Sequence, residues 1–189
     1  AGGTPGGIMA AIAAARGGVK VTLVEYHHHI GGLSTSGLGK SDIENKDAIA
    51  GLFKEFTKRV LNWYVNKYGA DSENVRKCRE GYYYEPSVAE EVFNDMIAEE
   101  PNITLLTGFQ IEQAVANSGK VSEVTFRNRE TGENQTWKAK AFVDATYEGD
   151  LYALAGAAYR LGRESKEDFN EPHAGRIFFD YNDNVFLEG

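Results

Sequence analysis

The chain is short of several things, and each shortage removes a class of function. It has one cysteine, Cys78, in 189 residues. An internal disulfide and a Cys-x-x-Cys redox pair are therefore excluded. No apolar run approaches the ~20 residues that a bilayer-crossing helix needs, so no membrane partner is expected. Cations are in deficit: 20 Lys plus Arg stand against 28 Asp plus Glu, a net charge of −8. That argues against nucleic acid as a partner, because affinity there rests on neutralising phosphates with cations. No serine lies in a Gly-x-Ser-x-Gly elbow, and no Ser/His/Asp arrangement is visible. The base and carboxylate-neutralising pair of a polysaccharide lyase is equally unrecognisable. What is left is a chain with 42% hydrophobic and 25% charged residues, the balance of a soluble globular protein. Its length suits one domain or one and a half, and it carries no signal for an oligomeric state.

What the chain does have is concentrated at its start. Ala1-Gly-Gly-Thr-Pro-Gly-Gly7 leads into the Ala-rich run Ile8–Arg16, and after Gly17-Gly18 comes Val19-Lys-Val-Thr-Leu-Val-Glu25. This reads as a glycine-rich turn opening a helix, then an apolar strand ending in an acid. Such a turn brings backbone N–H groups to a pyrophosphate, and the helix N-terminus adds a positive dipole end. The acid can accept hydrogen bonds from both hydroxyls of an adenosine ribose. In the G-x-G-x-x-G pattern Gly2 and Gly7 take the first and third glycine positions, and Thr4 takes the second. A Cβ there narrows the closest approach to phosphate, but the Thr4 hydroxyl is available to donate to a phosphate oxygen. The bland alternative is a glycine-rich connection before an ordinary amphipathic helix. The fingerprint ordinarily follows a strand, so about five or six apolar residues are expected upstream of Ala1. A secretory signal would also lie upstream, so the compartment is not read from this sequence.

Further along, the loop Tyr26–Gly39 is rich in glycine and hydroxyl residues, suited to wrapping a ligand. A helix is expected from about Lys46 to Tyr68, with Ile49, Leu52, Phe53, Phe56, Val60, Trp63 and Tyr64 on one face and Gly69 as its cap. That aromatic stripe reads as core. Asp71–Gly81 reads as a surface loop, in which Cys78 among Arg76, Lys77 and Arg79 would be a reactive thiolate if exposed and inert otherwise. Ser87 and Glu90 form a capping box for a helix from Val88 to about Glu99. Ile103–Thr107, Phe109–Ala116, Val121–Arg127 and Asn134–Lys138 read as short strands of a β-meander over about 103–140. Ala141–Thr146 is apolar in the manner of a buried parallel strand, and Leu151–Tyr159 reads as a short helix. From Arg160 the chain is polar, then aromatic at Phe178, Phe179, Tyr181 and Phe186.

The order of elements separates two nucleotide classes. A simple nicotinamide domain would place another strand and helix soon after Glu25, whereas here a Gly-Gly-Leu-Ser loop, long helices and a meander intervene. This layout resembles the FAD-binding half of glutathione-reductase-like flavoproteins. Within them it resembles the FAD-dependent oxidoreductases with Gly-Gly-Thr-Pro-(Gly/Ala)-Gly near the start and Asp-Ala-(Thr/Ser)-Tyr-Glu-Gly-Asp-Leu later, here residues 144–151. Some members of that group carry a xanthan lyase label. The resemblance implies an α/β fold: a Rossmann-like FAD/NAD(P)-binding domain with a parallel sheet and an inserted antiparallel meander, over residues 1–159. The start of a following region, cut short, would occupy 160–189.

The resemblance also implies site roles. Gly2, Gly3, Thr4, Pro5, Gly6 and Gly7 would cradle the pyrophosphate, and Glu25 would hold the ribose. Gly31, Gly32, Leu33 and Ser34 would run along the pyrophosphate and ribityl chain. Ile111 would present its backbone to adenine, and Ala145 and Thr146 would close over the cofactor. Arg160, Gly162, Arg163 and Glu164 match a segment without an assigned role. The first strand of the family pattern is absent, as is its C-terminal Gly-Asp segment, so the chain reads as an N-terminal fragment that would bind FAD weakly or not at all and lack turnover alone. The implied activity is flavin-mediated oxidation or reduction of an organic substrate, with a carbohydrate suggested by the label. A polysaccharide lyase and a non-catalytic nucleotide-binding module are the alternatives.

The remaining polar candidates are weaker. His27-His28-His29 invites a metal reading, but adjacent side chains point apart in extended structure, so no metal is expected. His29, next to the second glycine pair, is the better functional histidine, with His173 a further one. Glu148 and Asp150 are either an acid/base pair or a solvated turn. No catalytic residue is assigned.

Overall fold

The computed structural model describes residues 1–175; the aromatic positions Phe178, Phe179, Tyr181 and Phe186 lie outside the described residues. Two compact units are present, Ala1–Ala157 and a second from Ala158 onward.

The first unit is α/β. Helix α1 (Pro5–Arg16) begins where Thr4 caps it and Pro5 supplies a pre-set φ at its first position. Its alanines propagate it, and Gly17 ends it. Strand β1 (Val21–Glu25) follows. Helix α2 (Gly51–Tyr68) starts later than the apolar stripe implies. Asn45 caps a separate 3₁₀ turn over Lys46–Ala48, and Ile49 and Ala50 are extended, so the first residues of the stripe never join the helix. Gly69 does cap its end. The stretch expected as surface loop contains a short helix, α3 (Glu73–Lys77), capped by Ser72. Cys78 after it is buried, with its thiol directed at the Val75 carbonyl, so the exposed-thiolate condition is not met.

Helix α4 (Pro86–Ala98) also departs from expectation. Pro86 at its first position moves the start upstream, so Ser87 is inside the helix and the Ser87/Glu90 capping box does not form. Instead the Tyr64 hydroxyl accepts a hydrogen bond from the Glu85 N–H at 2.9 Å and ties α2 to the start of α4. Burial pushes the Tyr64 phenol up from its ordinary value, so it is neutral at physiological pH.

Strand β2 (Ile103–Thr107) pairs in parallel with β1, Val21 opposite Ile103 through Glu25 opposite Thr107. It therefore belongs to the Rossmann-like sheet and not to the meander in which its composition placed it. The antiparallel meander is β3 (Phe109–Asn117), β4 (Lys120–Asn128) and β5 (Asn134–Lys138), in that order. Residues 141–146 form no strand, and Val143 is 57% exposed, against the expectation of a buried strand. Their ladder is two bonds long: the Ala1 nitrogen donates to the Val143 carbonyl, and the Ala145 N–H donates to the Ala1 carbonyl. On the other side of the same short segment the Gly2 N–H donates to the Val24 carbonyl. Ala1 and Gly2 thus bridge β1 and residues 143–145. Below them runs an apolar groove of about 780 Å³, lined by Ala10 and Ala14 of α1, Val21 and Leu23 of β1, and Trp137 and Phe142. Helix α5 (Asp150–Leu154) ends well before the expected Tyr159.

Two apolar clusters hold this unit. The larger joins Ile8 and Ile12 of α1, Phe56 and Val60 of α2, and Val92 and Phe93 of α4. Phe56 and Phe93 stack with ring centroids 4.5 Å apart. The smaller joins Val24, Phe109, Val124, Phe126 and Leu151, with Ala1 and Ile111 packed against it.

In the second unit, helix α6 (Lys166–Phe169) carries a capping box between Ser165 and Asp168. Arg160 lies 3.3 Å from the Asp168 carboxylate and 4.7 Å from the Phe169 ring centre.

Candidate functional site: the glycine turn

Three segments distant in sequence converge at the N-terminus of α1: residues 2–7, 31–34 and 144–149. The turn is built by exclusion. Gly2 has φ +95°, and a Cβ on it would overlap the Ala145 carbonyl. A Cβ on Gly7 would overlap the Gly2 carbonyl oxygen, so helix and turn pack backbone on backbone. Gly6 is different: the nearest atom to a Cβ there would be the Thr4 hydroxyl at 3.9 Å. Packing does not explain that glycine. It leaves an open surface over the first turn of a 12-residue helix, where the positive end of the helix dipole favours an anion.

Thr4 corrects one expectation. Its hydroxyl donates to the Ala145 carbonyl at 2.8 Å while accepting from the Gly7 N–H at 3.3 Å. The proton is committed to the protein and is not available to a phosphate in this conformation.

Glu25 is 8% exposed at the end of β1. One carboxylate oxygen accepts from the Gly3 N–H at 2.6 Å and the other from the His27 N–H at 2.9 Å. A carboxylate offers about four lone-pair sites, so these two bonds orient it and leave capacity for hydroxyl donors. The Gly3 carbonyl accepts from the Gly31 N–H at 2.7 Å. Gly3 is thereby the hub that joins the ribose-type acid, the glycine turn and the second glycine pair.

The second pair enters a 3₁₀ turn over Gly32–Thr35, with Gly31 left-handed before it. The Ser34 N–H donates to the Gly31 carbonyl at 3.2 Å. The Leu33 N–H donates to the Tyr147 hydroxyl at 2.8 Å. That hydroxyl lies where a Cβ on Gly32 would be.

The third segment is held by one carboxylate. Asp144 accepts from the Thr146 N–H at 3.0 Å, the Thr146 hydroxyl at 2.7 Å and the Tyr152 N–H at 2.9 Å. Thr146 in turn accepts from the Gly149 and Asp150 amides, both at 2.9 Å. Burial raises the Asp144 carboxyl, but hydrogen bonds from Thr146, Tyr152 and Leu151 outweigh burial and hold it below its ordinary value.

Residues 2–7, Glu25, 31–34 and Ala145–Thr146 are therefore brought together. Ile111 stands apart on β3, paired opposite Phe126 and packed with Ala1 against the smaller cluster. Asp144 and Tyr147 are the contributors that sequence reasoning missed. An acid two residues before a threonine is a legible turn signal, but nothing marks a contact between Tyr147 and Leu33, 114 positions away. The histidines take different partners: His28 lies 3.3 Å from Glu130, His29 bonds the Ser36 hydroxyl at 3.0 Å, and the His27 and His29 rings stack with centroids 5.5 Å apart. Among the described residues no group of three or more His, Cys, Asp or Glu side chains could hold a metal ion. No helix among them is long and apolar enough to cross a membrane. Glu148 and Asp150 are both exposed.

A capped helix behind a glycine turn, beside a parallel strand that ends in an oriented carboxylate, defines a Rossmann-like dinucleotide-binding protein. A family profile described as FAD dependent oxidoreductase matches residues 1–186, and the chain belongs to that family. FAD is the cofactor that membership implies. Among solved structures, the crystal structure of L-proline dehydrogenase from P. horikoshii is similar with a TM-score of 0.53 and 18% identity, over 86% of this chain and 56% of that one. The chain thus spans little more than half the length of that neighbour, which lends it a fold. No curated protein matches the chain.

Proposed function

We propose that this chain supplies the FAD-binding half of a flavin oxidoreductase acting on an organic substrate. One observation carries the reading: Gly3 bonds Glu25 through its N–H and Gly31 through its carbonyl, so the ribose acid, the pyrophosphate turn and the second glycine pair form a single preorganised surface. Gly2–Gly7 would hold the pyrophosphate, with the open face at Gly6 as the point of approach. Glu25 would accept from the ribose hydroxyls, Gly31–Ser34 would follow the ribityl side, Ala145 and Thr146 would close over it, and Ile111 would meet adenine. Bound FAD supplies two-electron redox chemistry, and the protein's part is orientation and electrostatics. Asp144 fixes the closing segment, and Glu25, already aimed by two amides, needs no reorganisation to bind.

The substrate side of the proposal is coarser. The solved neighbour is named for L-proline, and its likeness is in fold. A carbohydrate substrate and the lyase alternative rest on a family label, with no residue here behind them. Because no catalytic group is assigned among these residues, turnover by residues 1–189 alone is not expected.

Titration of the chain with FAD, followed by flavin absorption and fluorescence, tests the reading. Saturable binding with a perturbed flavin spectrum, weakened in Glu25→Gln, is the expected result. Binding of ADP without any perturbation of flavin would favour a plain nucleotide-binding module. No binding of either, by this chain and by a longer chain that restores the upstream strand and the C-terminal Gly-Asp segment, would end the oxidoreductase reading.

A further inference from the structure

The three converging segments carry several side-chain hydroxyls, and most have spent their protons. Thr4 donates to the Ala145 carbonyl, Thr35 to the Ile30 carbonyl and Thr146 to Asp144. Tyr147 is in another position. Its oxygen accepts from the Leu33 N–H at 2.8 Å, which uses a lone pair and leaves the phenolic proton. No acceptor for that proton is present among the described residues. The ring is 59% exposed, yet its hydroxyl is folded back over the glycine pair instead of turned out to water. Gly32 makes this possible, since any Cβ there would overlap the hydroxyl. The flanking residues give the phenol a fixed root: Thr146 is bonded to Asp144, and Gly149 to Thr146.

On the FAD reading given above, on which this step rests, we propose that Tyr147 is a cofactor-binding residue whose phenolic O–H donates to an oxygen of the pyrophosphate–ribityl chain. The Leu33 amide aims the phenol by holding its oxygen. A phenol polarised by an accepted hydrogen bond is a better donor, and an anionic oxygen is its strongest acceptor. The competing arrangement is a plug, in which the phenol merely stands in for a ligand oxygen on the Leu33 N–H and must leave before FAD binds. The two arrangements give opposite signs on removal of the hydroxyl.

The test is equilibrium binding of FAD to the chain and to Tyr147→Phe, with far-UV circular dichroism to show that both are folded. The phenyl ring keeps its bulk, so only the hydroxyl is lost. Binding about tenfold weaker in Tyr147→Phe is expected, the size of one hydrogen bond to a charged group. Gly32→Ala, which displaces the hydroxyl without removing it, is expected to show a loss in the same direction. Unchanged or tighter binding by Tyr147→Phe overturns the donor role and leaves the FAD reading standing. Absence of FAD binding both by the unaltered chain and by a longer chain that restores the upstream strand and the C-terminal Gly-Asp segment overturns both.

Discussion

Two short glycine runs meet at the site and are held in unlike ways. At Gly2 and Gly7 the neighbours that forbid a side chain are backbone atoms, the carbonyls of Ala145 and of Gly2 itself. At Gly32 the neighbour is the far end of a tyrosine. Backbone in a close-packed turn has nowhere to go, whereas a phenol can swing aside. Gly2 and Gly7 are therefore part of the fold, and the wall at Gly32 is adjustable, while Gly31 is held by Thr35 and the buried Phe93. A binding surface with one fixed and one movable wall can preorganise the charged part of a ligand while the rest adapts to it.

This contrast can be broken or sharpened by substitution. The largest effect is expected at the fixed wall. Gly2→Ala and Gly7→Ala each force backbone apart, and Gly2 also has a left-handed φ. We expect a loss of about 3 kcal/mol or more in urea unfolding, or failure to fold. Next is Asp144→Asn. One of its acceptor oxygens becomes an NH₂ facing donors, for a loss of about 2 kcal/mol. Because the Asp144 carboxyl is held low in the folded chain, its stabilisation is present above the unfolded value and lost as pH falls through the folded one. Thermal unfolding below about pH 4 should accordingly be less pH-dependent in Asp144→Asn than in the unaltered chain.

Gly32→Ala at the movable wall should cost only about 1 kcal/mol, mostly left-handed strain, with the Leu33 amide signal shifted in NMR as its partner leaves. Gly6→Ala should change sign altogether. With nothing of the protein nearer than 3.9 Å, alanine should stabilise α1 by up to about 0.8 kcal/mol while weakening FAD binding. A loss of stability there would show that Gly6 is structural like Gly7. The smallest effect belongs to a region remote from both runs. Glu55 bonds Arg16 at 2.7 Å and Arg59 at 2.8 Å. Hydrogen bonds from Arg16, and against the opposing effect of burial those from Arg59, hold its carboxyl at about 2. Glu55→Gln should cost a few tenths of a kcal/mol and less in high salt. What it removes is stability present above the ordinary glutamate value and lost as pH drops towards about 2.

Much of this was readable from the residues. The glycine-rich turn and the alanine run announce α1, and composition announces β3, β4 and β5. The errors share a cause: local pattern does not name a partner. The composition of β2 fits a meander as well as a parallel sheet, and only its pairing with β1 decides. Ser87 and Glu90 have capping-box spacing, but Pro86 claims the first helical position. Ala141–Thr146 has strand composition, but its backbone pairs across to Ala1 through two bonds and forms no strand. At the site, glycine spacing located the turn, whereas the fate of the Thr4 proton and the reach of Tyr147 depend on tertiary neighbours that no spacing encodes.

The groove beside Ala1 also gives the protein an optical handle. Trp137 lines it, and the Trp137 indole nitrogen is buried without a hydrogen-bond partner among the described residues. The other tryptophan, Trp63, sits in α2 with the Lys67 ammonium 4.2 Å from its ring centre, away from that groove. Emission from Trp137 will therefore shift when any carbonyl or water reaches its N–H, while Trp63 serves as a constant reference. Occupancy of the groove next to the glycine turn can thus be followed by intrinsic fluorescence, with no label and no turnover.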